Sequence, residues 1–586
     1  MKILLIYPQC LEERVHAENI ESMPIGIYYV AALLKEHGYD VELANGQQIG
    51  SSPEAIRAML TEKKADVIGF SILQANRWGG ISMARIAREI SPEVKIVFGG
   101  ITPTFLWRHF LTHFPEIDVV VRGEGEHTFL RLIRCFEQNE TDNIGEIRGI
   151  AYRKNGRPVK TQDAEPVRDL DELPNPAKYF SFAHLALSRG CPGNCTFCGS
   201  PRFWGQRVRF HSAGYFVDQL ELQYQKGIRF FLISDDTFTF KKELVIEICR
   251  QILERGLRIT WFAISRVNFI SEELVSWMRK AGCIQISFGV ESGSPRIRNI
   301  LNKRITNEQI RNAFRITLRY GILPRAYIIF GSPGETEKTI RESIDLINQI
   351  KPLVVIFHVL VLFPGTALYD EFKKKHNMTD DIWLNPIEDI MYFETDKRLP
   401  REAVERYRNM LHDNFHANLP SFVDGIDLVD DPEFSPLHAD FYSRLAMSFT
   451  HGEYARVEAL GDRAEIAEKL YRKALQYHPV HRAYLGIGMI LQKKRDLSGS
   501  MAVLADGLNR YPDDEQLNIC QGINFMNQGR FREALSLLLK FQDSPQALQF
   551  IAACYRELND PQGQAAALNK LNATAANRNR GSFSNG

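Results

Sequence analysis

The chain has 586 residues, 24% of them charged, with 72 basic against 71 acidic side chains and a formal net charge of +1. That length exceeds one hydrophobic core and calls for about two to four domains. The charge balance excludes bulk attraction to nucleic acid or an anionic membrane, and no apolar run is long enough to span a bilayer. The N-terminal run Met1–Pro8 is too brief for a signal peptide. Cys10, Cys135, Cys249, Cys283, Cys520 and Cys554 are scattered without a pairing pattern, so reduced thiols and a cytoplasmic location are expected.

From Met1 to about Phe136 short apolar runs alternate with helical patterns. Lys2–Tyr7, Val41–Ala44, Val67–Ser71, Lys95–Phe98 and Val119–Val121 read as strands, and Gly26–His37 as a helix stopped by Gly38. This alternation predicts a parallel sheet covered on both faces, with ligands outside the carboxyl ends of the strands. Those ends carry Pro8-Gln9-Cys10, Ser71-Ile72-Leu73, Gly99-Gly100-Ile101-Thr102 and Arg122-Gly123-Glu124-Gly125-Glu126. Cys10 reads as a loop cysteine without a role. Residues 149–180 form a connector, with a hairpin at Asn155-Gly156 and an acidic, proline-bearing stretch after it.

From Ala183 the alternation resumes. Strands are predicted at Ala183–Leu187, Phe230–Ser234, Thr260–Ile264, Cys283–Val290, Arg325–Phe330 and Val354–Val361, with helices between them. Six such units make a curved parallel sheet whose chemistry sits on the loops after the strands. The first strand leads into Ser188-Arg-Gly-Cys-Pro-Gly-Asn-Cys-Thr-Phe-Cys-Gly199, where Cys191, Cys195 and Cys198 fall within eight residues. Thiolates suit zinc or iron–sulfur clusters. A closed zinc site needs four ligands, so a zinc knuckle would recruit His184 or His211. The other strands end in Ser234-Asp235-Asp236-Thr237, Ser265-Arg266, Glu291-Ser292-Gly293, Gly331-Ser332-Pro333-Gly334-Glu335 and Phe363-Pro364-Gly365-Thr366. A zinc knuckle does not need this polar ring.

The C-x3-C-x2-C spacing, with Phe197 before the last cysteine, resembles the signature of the radical S-adenosylmethionine (radical SAM) enzymes. There three cysteines hold a [4Fe-4S] cluster, and the fourth iron is chelated by SAM. The resemblance implies that Cys191, Cys195 and Cys198 are the metal ligands and that the barrel is a (β/α)6 partial barrel. Phe197, Ser234, Asp235, Asp236, Ser265, Arg266, Glu291, Gly331 and Glu335 are its candidate SAM contacts. Arg266 suits the SAM carboxylate and Asp235 or Asp236 the ammonium. Glu291 matches the ribose-binding position, and Ile329–Glu335 the family's adenine-side segment, though loosely. Lys303, in Leu-Asn-Lys-Arg, resembles a position common in the subfamily, with a solvated lysine as the favoured alternative. Met23–Gly26 (Met-Pro-x-Gly), Gly99-Gly100 and Arg122–Glu126 resemble the cobalamin-binding domain that precedes many such barrels. Its implied contacts are Pro8, Gln9, Ser71, Leu73, Gly99, Gly100, Thr102, Gly123, Glu124 and Gly125. The Asp-x-His-x-x-Gly motif of other cobalamin domains is absent, so no protein histidine on cobalt is expected.

Residues 371–463 read as a helical extension rich in aromatics. From 464 to 571 a period of about 34 residues, marked by Tyr477-His-Pro479 and Arg510-Tyr-Pro512, resembles tetratricopeptide repeats, which present a surface to a protein or peptide partner. Residues 572–586 read as a disordered tail. The expected architecture is therefore α/β: a Rossmann-like cobalamin-binding domain (1–148), a connector (149–180), a radical SAM partial barrel (181–370), and an all-α repeat region. The implied function is reductive cleavage of SAM to a 5′-deoxyadenosyl radical. The favoured outcome is cobalamin-dependent methyl transfer to an unactivated carbon, with electrons from a donor such as flavodoxin or ferredoxin. Cobalamin-dependent cyclisation or rearrangement is the first alternative. A methylthiotransferase would want a second cysteine triad near the N-terminus and a basic tail, and the sequence has neither. A non-enzymatic corrinoid-sensing scaffold would not need the cysteine triad.

Overall fold

The computed structural model describes residues 1–10, 23–385 and 387–581. It divides into two compact units, residues 1–418 and 419–586. Among the described residues, no helix is long and apolar enough to cross a membrane.

The first unit contains two sheets. The front sheet has strands β1 (Lys2–Tyr7), β2 (Asp40–Asn45), β3 (Val67–Ser71), β4 (Lys95–Gly99) and β5 (Val119–Val121), followed by the hairpin β6 (Ile150–Lys154) and β7 (Arg157–Lys160). Their order is β2-β1-β3-β4-β5-β6-β7, parallel through β5 and antiparallel beyond. In β1 all but the first residue are buried, as expected of a strand covered on both faces. The covering helices are α1 (Ile25–Glu36), α2 (Pro53–Lys63), α3 (Arg77–Ile90), α4 (Ile101–His113) and α5 (Glu126–Glu137). The hairpin expected in the connector pairs Ile150 with Val121 and completes the sheet instead. A three-residue β5 would otherwise leave an unpaired edge.

The second sheet has six parallel strands: β8 (His184–Leu185), β9 (Phe230–Ile233), β10 (Thr260–Ser265), β11 (Cys283–Glu291), β12 (Leu323–Phe330) and β13 (Val354–Val359). They lie in sequence order with β8 and β13 at the two edges, an open partial barrel. Helices α6 (Ala213–Gln225), α7 (Lys242–Glu254), α8 (Glu272–Lys280), α9 (Asn307–Arg319), α10 (Glu337–Ile350) and α11 (Ala367–His376) connect or follow them. Their starts are set locally: Thr306 and Gln309 form a capping box on α9, and the Ser212 hydroxyl caps α6. β8 is shorter than expected because Ser188–Arg189 leaves the sheet to pair antiparallel with Arg209–Phe210.

The chain passes from the first unit to the second within α12 (Arg401–Asp424), so the region read as one helical extension (371–463) is divided. The second unit continues with α13 (Ser435–Thr450), α14 (Arg463–Tyr477), α15 (His481–Lys493), α16 (Leu497–Arg510), α17 (Glu515–Asn527), α18 (Phe531–Leu538), α19 (Pro545–Glu557) and α20 (Pro561–Gly581). Its packing recurs along the chain. A Cβ on Gly488 would meet Leu504 at 2.7 Å, and one on Gly522 would meet Leu538 at 3.1 Å. Glycine lets successive helices approach at both places. The tail expected to be disordered from 572 is helical to Gly581, since alanines carry α20 onward. Residues 582–586 of that expected tail lie outside the described residues.

Candidate active site

The carboxyl ends of the front sheet and of the barrel open onto one cavity of about 310 Å3. Ser71, Leu73, Gly99, Gly100, Gly123, Glu124 and Gly125 line it from the front sheet, and Ser234 and Asp236 from β9's loop. Pro8, Gln9 and Thr102 are not among the lining residues. Pro8 and Gln9 lie under α3 instead, where the Asn76 amide donates to the Pro8 carbonyl (3.3 Å) and Gly79 leaves no room for a Cβ against Gln9. Below the mouth the cavity follows the sheet surface between Leu5, Val30, Val97 and Phe129. Gly69, in the middle of β3, also lines it, and a Cβ there would meet Leu5 at 2.6 Å and Phe129 at 3.2 Å.

The cysteine loop starts from a buried ion cluster. Arg189 donates to Glu124 (3.0 Å) and Glu126 (2.5 Å), and Arg209 also pairs with Glu124. These four side chains are nearly inaccessible, and the Arg189 guanidinium lies 5.4 Å from the Tyr29 ring and 5.5 Å from that of Trp204. Glu124 and Arg189 therefore pin the loop's base to the front sheet. Removing one partner of such a cluster would leave a buried charge uncompensated.

The sulfurs of Cys191, Cys195 and Cys198 are free of disulfides. Cys191 Sγ lies 3.5 Å from the Thr237 hydroxyl, and the Gly193 amide donates to it at 3.4 Å. The Arg266 guanidinium reaches Cys195 Sγ at 3.8 Å. Burial pushes the Cys198 thiol up to about 12, with Asp236 and the other two cysteines adding to the effect. Among the described residues the three sulfurs do not share a single-ion site; the ligand atoms close enough for that belong to another cluster. His211 is ruled out as a fourth ligand: its Nδ1 bonds Asp171 and its Nε2 the Tyr29 hydroxyl, both at 2.9 Å.

The remaining rim residues divide into two groups. Arg266 donates to the Lys303 carbonyl at 2.7 Å, and the Lys303 ammonium is 2.6 Å from Glu291. Lys303 is thus buried and paired, not solvated. Glu291 has a left-handed backbone (φ 65°), at a register shift between β11 and β12. A Cβ on Gly289 would meet Glu291 Oε1 at 2.4 Å and Lys303 Nζ at 2.6 Å, so glycine makes room for the pair. Strain of this kind tends to gather at functional sites. Asp236 accepts from the Ser200 hydroxyl at 2.5 Å, and the Ser265 hydroxyl bonds Thr239. Phe197 is half-buried in the cysteine loop. Asp235 and Glu335 instead hold backbone in place. Asp235 accepts from the Leu187 amide (2.8 Å) and the Ser188 hydroxyl, and Glu335 from the Gly331 and Ser332 amides. Burial pushes each carboxyl up to about 7.

Residues 20–133 match the family model of the B12 binding domain, and residues 185–347 that of the radical SAM superfamily. Over 383 residues the chain is 32% identical to an uncharacterized methyltransferase of Pyrococcus horikoshii, covering 63% of this chain and 83% of the relative. The chain belongs to the cobalamin-binding radical SAM enzymes. A further relative is the anaerobic magnesium-protoporphyrin IX monomethyl ester cyclase of Rubrivivax gelatinosus, 28% identical over 67% of this chain and 73% of that protein. In fold the chain is similar to the radical SAM methyltransferase TsrM of Kitasatospora setae, with TM-score 0.57, 18% identity, and coverage of 81% of this chain and 100% of that one.

As a cobalamin-binding radical SAM enzyme the protein uses a [4Fe-4S] cluster, SAM and cobalamin. The residues present fit these groups. Three thiols in one loop suit a cluster with one iron left for SAM. The glycine-rich mouth and the apolar slot past Gly69 suit a large flat ligand with an apolar extension. Among the lining residues that sequence reasoning missed are Tyr29, Phe203 and Trp204, together with Arg189. The aromatic pair just after the last cysteine was the one local signal for them.

Proposed function

We propose that this enzyme is a cobalamin-dependent methyltransferase acting on an unactivated carbon. The observation that carries this reading is the shared cavity, into which the glycine ends of the front sheet and the Ser234–Asp236 loop of the barrel both open. Two cofactors seated on those two edges would face each other across one water-excluding chamber, which a methyl relay requires. When bound, the cluster and SAM supply one-electron bond cleavage, and cobalamin supplies a methyl carrier.

This chain's residues would act by holding and orienting. Cys191, Cys195 and Cys198 would ligate the cluster. Arg266, anchored on the Lys303 carbonyl, would place positive charge beside Cys195 and the SAM carboxylate. Asp236 would accept from the SAM ammonium. Glu291, oriented by Lys303, would accept from the ribose, and Ser234, Ser265 and the Gly331 turn would border the nucleoside, with Phe197 packing beside the cluster. Asp235 and Glu335 would shape the loops. The glycines at Gly99, Gly100, Gly123 and Gly125, with Ser71 and Leu73, would carry the corrin. Electrons would come from a flavodoxin or ferredoxin in the cytoplasm, and the helical hairpins of residues 464–571 would act as tetratricopeptide-like repeats that dock a protein or peptide.

The test is anaerobic reconstitution with cobalamin, followed by incubation with SAM carrying an isotopic methyl label and a low-potential reductant. Label appearing on cobalt, together with 5′-deoxyadenosine, is the expected result. Formation of 5′-deoxyadenosine with no label ever reaching cobalt would move the assignment to cyclisation, the activity named for the Rubrivivax gelatinosus relative.

A further inference from the structure

A second cluster of ligand-bearing side chains lies at the far end of α4 from the cavity. The helix begins at Ile101, which lines the cavity, bends at Leu106 (φ −105°, ψ 22°) and ends at His113. His109 and His113 are four residues apart, so they share one helix face, and their ring centroids are 5.1 Å apart. The segment after the barrel brings a short 3-10 helix, Asp380–Leu384, against this face. It places Asp381 Oδ1 3.0 Å from His113 Nε2. One ligand atom from each of His109, His113 and Asp381 lies within 4.8 Å of the others.

The telling member is His109. It is only 4% exposed, yet among the described residues neither ring nitrogen has a hydrogen-bond partner. Buried polar groups are almost always paired, so an unpaired imidazole aimed into a ligand cluster calls for a partner. It sits among the rings of Phe110 and Phe114. Asp380, beside the cluster, is held by the Tyr369 hydroxyl (2.9 Å) and is paired with the Lys373 ammonium (2.8 Å). Arg77 opposes a cation there, but its guanidinium is tied to the Trp383 and Ile387 carbonyls.

Two imidazoles at i and i+4 on a helix plus one carboxylate form a borderline donor set. It suits zinc-class divalent transition metals and leaves an open position; it is too soft and too small for calcium. We propose that His109, His113 and Asp381 bind a divalent transition metal, with zinc as the best match and water in the fourth position. The metal fastens the cobalamin-domain helix α4 to the segment that follows the barrel. Before its bend at Leu106 the same helix seats Phe105 against Gly365, where a Cβ would come within 2.3 Å. This site is independent of the proposed methyl transfer.

The test uses full-length reconstituted enzyme, equilibrated with Zn2+, desalted, and analysed for zinc, iron and cobalt by mass spectrometry. The expected result is about one zinc per chain, with X-ray absorption showing only nitrogen and oxygen neighbours at about 2.0–2.1 Å. His113→Ala and Asp381→Asn, both at partly exposed positions, should each weaken zinc binding at least about tenfold while iron and corrinoid contents stay unchanged. Three results would each overturn the proposal: no zinc retained by the wild type, equal zinc in wild type and both variants, or a sulfur shell at about 2.3 Å marking zinc on the cysteine loop.

Discussion

Two parallel sheets present their carboxyl edges to the same cavity, and the edges differ in kind. The front edge is uncharged and bare at Gly99, Gly100 and Gly123, and its acids Glu124 and Glu126 are occupied by Arg189 and Arg209. The barrel edge reaches the cavity through Ser234 and Asp236, and carries thiols, a buried Glu291–Lys303 pair and the Arg266 guanidinium outside that lining. The shared topology fixes where ligands sit, and the edge residues decide what those ligands are. A backbone-lined edge suits a large neutral surface. A charged edge suits a small zwitterion and a metal cluster.

The largest break in this comparison is on the charged side. Replacing Cys191, Cys195 and Cys198 together by alanine should abolish 5′-deoxyadenosine formation while cobalamin content is retained, as read by anaerobic product assay and by absorbance. If cleavage persists in that variant, the cluster assignment is wrong. Next in size is Lys303→Met, which leaves Glu291 buried without its counter-charge. A loss of about 3–5 kcal/mol is expected, partly recovered in the Glu291→Gln/Lys303→Met double variant, with the order of melting temperatures as the check.

On the neutral side, Gly26→Trp should place an indole at the mouth, since Gly26 lines the cavity and a Cβ there meets nothing within 4 Å among the described residues. Corrinoid affinity should fall about tenfold, roughly 1.4 kcal/mol, with reductive SAM cleavage unchanged. Equal loss of both activities would erase the distinction between the edges. The smallest effect concerns pH. The Asp235 carboxyl is raised from 3.8 to about 7 in the folded chain, so the fold binds a proton that the unfolded chain has released. Its contribution is full below pH 3.8 and is lost as pH rises to about 7. The melting temperature of the wild type should therefore decline relative to Asp235→Asn between pH 5 and 7.5. Parallel profiles would show that Asp235 is ionised throughout.

Much of this was legible in the residues. The strands of both sheets follow the apolar runs closely, because a strand buried on two faces has few polar positions to blur its ends. The cysteine spacing carries its chemistry in eight residues of loop. Side-chain roles on the rim were less legible. Asp235 and Asp236 are neighbours, yet one caps backbone and the other lines the cavity, since alternate residues leaving a strand point opposite ways. Lys303 looks like a surface lysine until the bulge at Gly289 opens a space for its ammonium beside Glu291. His109 and Asp381 are 272 residues apart, and no local pattern joins them.

The sequence by itself determined the order of the layers, the cysteine triad and the glycine ends of the front sheet, because those depend on periodicity and on loops that act locally. Only the tertiary structure decided which acids face the cavity, which are committed to arginines, and which histidines converge. Those outcomes depend on distances between elements far apart in the chain, and burial and pairing are set there.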